Sequence, residues 1–232
     1  MAEVDDKDVT MHFDHAQPNG SASTRVPAPE RSTDGAPIVG PSTIPALLGS
    51  RRIRLRPAGA ADGQFLYQLL FEHGLTALPI LPVWVADSLA FKDAAAQFVV
   101  EWVANEQMIG YTSLHELDPS AGHVQVGVYS MPGGTAPGLG AEAALLTINY
   151  AFAMWPIRKV YCHTTEANMK YFGGAISKIA RREGLLRQHK YFQGRSWDLQ
   201  ILAIYRDDWV RTGLPLAQRL AEHPAATGPK GQ

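Results

Sequence analysis

The stretch best equipped for chemistry is Pro132–Glu142, in which Gly133, Gly134, Gly138 and Gly140 sit among small residues. A strand-like run, Val124–Met131, leads into it. Leu145, Ile148 and Phe152, with Ala141 and Ala144 beside them, leave it at helical spacing and give one apolar face. Pro137 suits a first helical turn, where its missing N–H is not needed. Strand, glycine turn and helix N-terminus together point free amides and the positive end of a dipole outward, which makes a site for a phosphate-bearing ligand. The alternative is a plain turn. It is not the dinucleotide fingerprint, because the third glycine and a following strand ending in an acidic residue are missing. No Lys-Ser or Lys-Thr follows, so it is not a triphosphate loop either.

Proton-handling groups lie nearby in the chain. His123 is two residues before Gln125 and so shares its strand face, and imidazole has a suitable unperturbed pKa. His163 lies near the end of a second strand, and His115 and Glu116 follow a third. Cys162, within a strand, reads as buried packing rather than as a nucleophile. Asn168 reads as a helix cap. His12 and His15 fall in a polar leader and read as solvated; no metal site is expected.

Stepping outward, Arg52–Arg56 alternates and is closed by Pro57, a first strand. Ala60–His73 is an amphipathic helix carrying Phe65, Leu66, Leu69 and Leu70. Gly74–Phe91, with Pro79, Pro82 and Trp84, reads as loop and short helix. Gln97–Val103 and Met108–Leu117 form a hairpin, and His123–Met131 is the strand before the glycine loop. Pro156 ends the helix after it, Arg158–Thr164 is another strand, and Asn168–Arg182 is helical. Leu185–Phe192 and Trp197–Tyr205 make a last hairpin, and a short helix follows from Leu214. The fold class is α+β, an α/β sandwich: a mixed, mostly antiparallel sheet of about seven strands flanked by helices.

The chain has 232 residues and a formal net charge of -1, which gives no reason to expect nucleic acid or an anionic membrane as partner. One cysteine excludes an internal disulfide framework and suits a reducing cytoplasm. No apolar run is long enough to span a bilayer. Residues 1–40 read as a disordered leader, 51–212 as one domain and 220–232 as a disordered tail.

From about Arg51 to Trp209 the chain resembles the GNAT acyltransferases, most of all the ribosomal-protein N-terminal (RimJ/RimL-like) branch. The likeness rests on Ile53–Pro57 as opening strand, Gln125–Tyr129 followed by Pro132, Gly138-Leu139-Gly140-Ala141-Glu142-Ala143 as the CoA loop and helix, Asn168, Glu183-Gly184, Leu186-Arg187, Gly194-Arg195, and Asp207-Asp208-Trp209. The resemblance implies transfer of acetyl from acetyl-CoA, or another acyl-CoA, to a primary amine of a small molecule or a peptide N-terminus, by direct attack in a ternary complex. It implies pantetheine pairing with the strand before the loop where that strand splays from its parallel neighbour, at Val128, Tyr129 and Met131. It implies pyrophosphate on amides around Gly134, Thr135, Ala136, Gly138, Leu139, Gly140 and Ala141, with Asn168 as a further contact. Trp84, Tyr191 and Trp197 would line the acceptor site, or pack a homodimer.

Several positions depart from the family pattern. Thr135 replaces the usual Arg or Gln, Gln125 replaces a Glu and cannot act as base, and the helical Tyr would fall at Ala175. The usual Gly-Phe ending likewise falls at Ile179-Ala180. His123, His163 and Tyr171 are the candidates for the missing roles. Tyr171, one turn beyond Asn168, offers a phenol that either donates a proton to the leaving thiolate or belongs to the core. The alternatives to an acetyltransferase are a CoA-binding regulatory module of the same shape, or transfer of a longer acyl group.

Overall fold

The computed structural model describes residues 43–72, 94–131, 137–169, 174, 176, 178–192 and 194–222. The expected leader 1–40, loop 74–91, residues 223–232 of the expected tail 220–232, and the positions Trp84, Gly134, Thr135, Ala136, Tyr171 and Ala175 lie outside them, while Leu220 and Ala221 of that tail are helical. Seven strands form one sheet: β1 (Ile53–Pro57), β2 (Ala96–Trp102), β3 (Gln107–Asp118), β4 (His123–Ser130), β5 (Lys159–Thr165), β6 (Ala180–Phe192) and β7 (Arg195–Tyr205). The order is β1-β2-β3-β4-β5-β7-β6, and every neighbouring pair is antiparallel except β4 and β5. That is the mixed, mostly antiparallel sheet expected from the hydrophobic patterning.

Helices cover it on both sides. Helix α1 (Gly63–Glu72) sets Leu66, Leu69 and Leu70 against Val99 and Tyr111 on one face. Helix α2 (Leu139–Met154) lies on the other, over Ile53, Leu55, Phe98 and Val100 at one end and Val124, Val126, Val160 and Cys162 at the other. Its N-cap is Gly138 with φ 86°, a left-handed conformation that favours glycine. It ends before Trp155, whose extended backbone (φ −129°) is what a residue preceding a proline prefers. Thr147 Oγ1 donates to Thr112 Oγ1 (2.9 Å) at the helix–sheet contact, so the one buried hydroxyl pair there is satisfied. After β7 come a helical turn (Arg206–Asp208), a π-helical turn (Trp209–Gly213) and α4 (Leu214–Ala221). Ile44 and Ala217, outside 51–212, are both buried in the α2-side core. No described helix is long and apolar enough to cross a membrane.

One expected element is corrected. The helix assigned to Asn168–Arg182 begins earlier and ends earlier: α3 covers Glu166–Met169, helical backbone recurs at Gly174 and Ile176, and β6 starts at Ala180. Ala180, Arg181 and Arg182 pair with Ile204, Ala203 and Leu202 of β7. A ladder along an already buried strand outweighs local helical spacing. Asn168 is consequently an exposed residue inside the first turn of α3, not its cap.

Candidate active site

The parallel joint between β4 and β5 is short. Its register runs from His123–Lys159 to Val126–Cys162 and stops there. Beyond it β4 stays with β3 up to Ser130, while β5 stays with β7 up to Thr165. The backbone polarity on the open side can be read off. Met131 N–H donates to Ile109 O (2.9 Å), toward β3. Successive residues of a strand alternate their polar groups, so those of Tyr129 and Gly127 also face β3 and those of Val128 face the gap. An extended ligand can pair there as an added strand.

At the top of the gap α2 begins. Gly140 approaches β4 so closely that a Cβ would lie 2.8 Å from Ser130 Oγ. Leu139 turns its side chain into the core, and Glu142 is buried too. Arg52, from the far edge of the sheet, reaches this end: its Nε donates to Glu142 Oε2 (2.9 Å) and its Nη1 to Pro137 O (3.2 Å). The glycine stretch carries no basic residue of its own, and Arg52 is the guanidinium beside the helix N-terminus, its charge matched there by Glu142. Sequence reading missed it because it is 85 residues away in the chain. A helix N-terminus capped by a left-handed glycine, close helix–strand approach and the gap-facing backbone of Val128 fit the pantetheine and pyrophosphate of an acyl-CoA.

On the face opposite α2, a cleft of about 340 Å³ is lined by Glu116, His123, Gln125, Tyr161, His163, Glu183 and Ile201. The structure thus brings His123, Gln125 and His163 together. The His123 and Tyr161 rings meet edge to face at 5.4 Å, and Tyr161 and His163 lie 6.4 Å apart. His163 is open to solvent at the cleft, yet loses enough hydration to its neighbours that its pKa is lowered, with Glu116 acting the other way and His189 and Lys190 reinforcing the fall. Burial lowers His115 likewise, against the pull of Glu116. A depressed imidazole is neutral at physiological pH and free to accept a proton. Gly127, two residues beyond Gln125, lets Ser113 and Tyr129 close in on β4: a Cβ there would lie 2.9 Å from Ser113 Oγ and 3.1 Å from Tyr129 Cε2. Cys162 points away into the α2-side core, and burial pushes its thiol up to about 12, which leaves it protonated and unreactive.

The far wall is a charge network that sequence reading did not single out. Lys159 Nζ donates to Glu183 Oε2 (2.8 Å), Tyr161 Oη donates to the same oxygen (2.9 Å), and Tyr205 Oη donates to Oε1. Burial raises the Glu183 pKa, but the hydrogen bonds from Lys159, Tyr205 and Tyr161 outweigh it and hold it at about 2. A carboxyl depressed in the folded state stabilises fully above its unfolded value near 4.5, and that share is lost as pH falls toward 2. Glu183→Gln is therefore expected to flatten the acid-unfolding profile between about pH 4.5 and 2. Glu183→Ala strands Lys159, 7% exposed, and should cost about 3 kcal/mol in urea titrations at pH 7, the low end for a broken buried pair because Glu183 is partly exposed.

Tyr191 and Trp197 sit elsewhere, on the β6–β7 ribbon beyond the last residues paired with β5. Tyr191 is 72% exposed; Trp197 stacks on Phe192 at 5.0 Å with Arg195 over its other side. Neither lines the cleft. Met131 packs with the α1-side cluster, and Val128 with the α2-side one.

No family model and no curated protein matches the sequence. Solved structures do. A chimera of the spermidine N-acetyltransferase SpeG from Vibrio cholerae with hSSAT superposes with a TM-score of 0.60 at 19% identity, over 69% of this chain and 99% of that one. Mutant forms of the spermidine/spermine N-acetyltransferase SpeG from the same organism give 0.59 at 18%, over 69% and 97%. A point mutant of that enzyme gives 0.59 at 18%, over 68% and 96%. The sheet of seven strands flanked by helices is the GNAT fold of these acetyltransferases.

Proposed function

We propose that the chain is an acyl-CoA-dependent N-acetyltransferase acting on a primary amine of a small molecule. The observation that carries this reading is the parting of β4 from β5 after Val126–Cys162, with no described strand paired to that edge of β4 beyond it and the histidine-lined cleft beside it. The likeness to spermidine N-acetyltransferases supports a small cationic amine as acceptor. The resemblance to the ribosomal-protein branch keeps a peptide N-terminus as the second acceptor class. When bound, acyl-CoA supplies an activated thioester carbonyl. Val128 would hold its pantetheine arm, and the amides of Gly138–Ala141 with Arg52 its phosphates. His163, neutral and in the cleft, is placed to take the proton that an ammonium must lose before attack, with His123 across from it. Gln125 can orient an acceptor but not deprotonate it. Holding both substrates in one cleft contributes through proximity.

Calorimetry with acetyl-CoA followed by thiol release over a panel of primary amines tests this. Saturable binding and turnover with a small cationic amine are expected. Tight binding with silence across the panel would favour the regulatory module, turnover only with longer acyl chains would move the donor, and no binding would sink the reading.

A further inference from the structure

The cleft holds a carboxylate that strand alternation alone would send to the other face. Between the pairs His115–Gln125 and Asp118–His123, β3 carries one residue more than β4, and in this bulge Glu116 has φ 53°. Its neighbours Leu114 and Leu117 both pack with the α2-side core. With Glu116 in left-handed backbone, His115 and Glu116 fall on the same side, and Glu116 lines the cleft beside Gln125, His123 and His163. It is one of two carboxylates there. Glu183 is committed to Lys159, Tyr161 and Tyr205, whereas Glu116 has no hydrogen bond or ion pair among the described residues.

Resting on the acetyl-transfer reading, we propose that Glu116 receives the ammonium of the acceptor amine, and that the bulge delivers from β3 the carboxylate that β4 lacks at Gln125. A bare carboxylate at the mouth of a cleft selects a cation and holds it against the neutral imidazole of His163. The groups facing it are His115 on its own strand, His123 and Gln125 on β4, Tyr161 and His163 on β5, and Glu183 on β6, with His189 and Lys190 acting on His163 from β6.

The test uses the full chain and two variants, Glu116→Gln and the same change combined with Gln125→Glu. In the first arm, imidazole resonances are titrated by NMR with no ligand present. Glu116→Gln is expected to lower the apparent pKa of both His163 and His115, and unchanged values would overturn the placement. The second arm takes a primary amine that the wild type acetylates. Glu116→Gln is expected to raise KM for that amine about tenfold or more, with acetyl-CoA affinity within twofold, and Gln125→Glu to restore part of the loss. An active wild type matched by Glu116→Gln would remove only the role of Glu116. A wild type silent on every amine would remove the acetyl-transfer reading itself, and this assignment with it.

Discussion

Val128→Pro is expected to weaken acetyl-CoA binding about tenfold, the value of one ligand hydrogen bond, and to leave the fold in place. Val128 pairs in register with Thr112, but its own N–H faces the gap and not β3. Proline is tolerated where the missing donor is not part of a ladder. Gly127 before it accepts the extended backbone that a proline imposes on its predecessor. The paired control is Tyr129→Pro, one residue on, whose N–H faces β3. That change should lower the melting temperature instead, and so separate a lost ligand contact from a broken strand. Titration calorimetry on both variants gives the answer: equal affinity for Val128→Pro and wild type would mean that the open backbone does not hold the pantetheine arm.

Gly213→Ala should cost about 3 kcal/mol, the upper end for overpacking, and lower the melting temperature by roughly 8 °C. Trp209 is fully buried and packs on Phe152 at 5.9 Å, and its ring lies directly over Gly213. An added Cβ would fall 2.6 Å from Trp209 Cζ3 and 2.8 Å from Cδ2, with Cε3 nearer still. The indole has no room to retreat, because α2 and the sheet close in around it. Combining Gly213→Ala with Trp209→Phe should cost less than the two changes summed, since the smaller ring vacates the contested space. A strictly additive pair in thermal denaturation would show that the clash is relieved by the backbone.

Much of this architecture is legible in the chain. Alternation marks Ile53 and Leu55 as inward and Arg54 and Arg56 as outward, and the structure pairs those arginines with Glu101 and Asp62. The glycine loop after β4 and the helix leaving it follow from composition and spacing. Alternation likewise puts His123 and Gln125 on one face. What period alone does not give is the long-range partner. Arg52 meets Glu142 across 90 residues, and Glu183 collects Lys159, Tyr161 and Tyr205 from two other strands. The bulge at Glu116 leaves no trace either, since left-handed backbone at a residue with a Cβ costs about 1 kcal/mol and has no sequence mark comparable to a glycine. The early end of the helix after Asn168 has the same origin: residues 180–182 look helical alone and become a strand because β7 is beside them.

The four-residue joint between β4 and β5 makes the sheet two panels, β1 to β4 and β5-β7-β6, held by that seam and by the helix laid across both. A donor seated along the seam binds the folded chain and not the unfolded one, so its binding energy adds directly to the cost of unfolding. The midpoint of heat denaturation should then climb with donor concentration, and amides flanking the seam should exchange with deuterium more slowly in step with it.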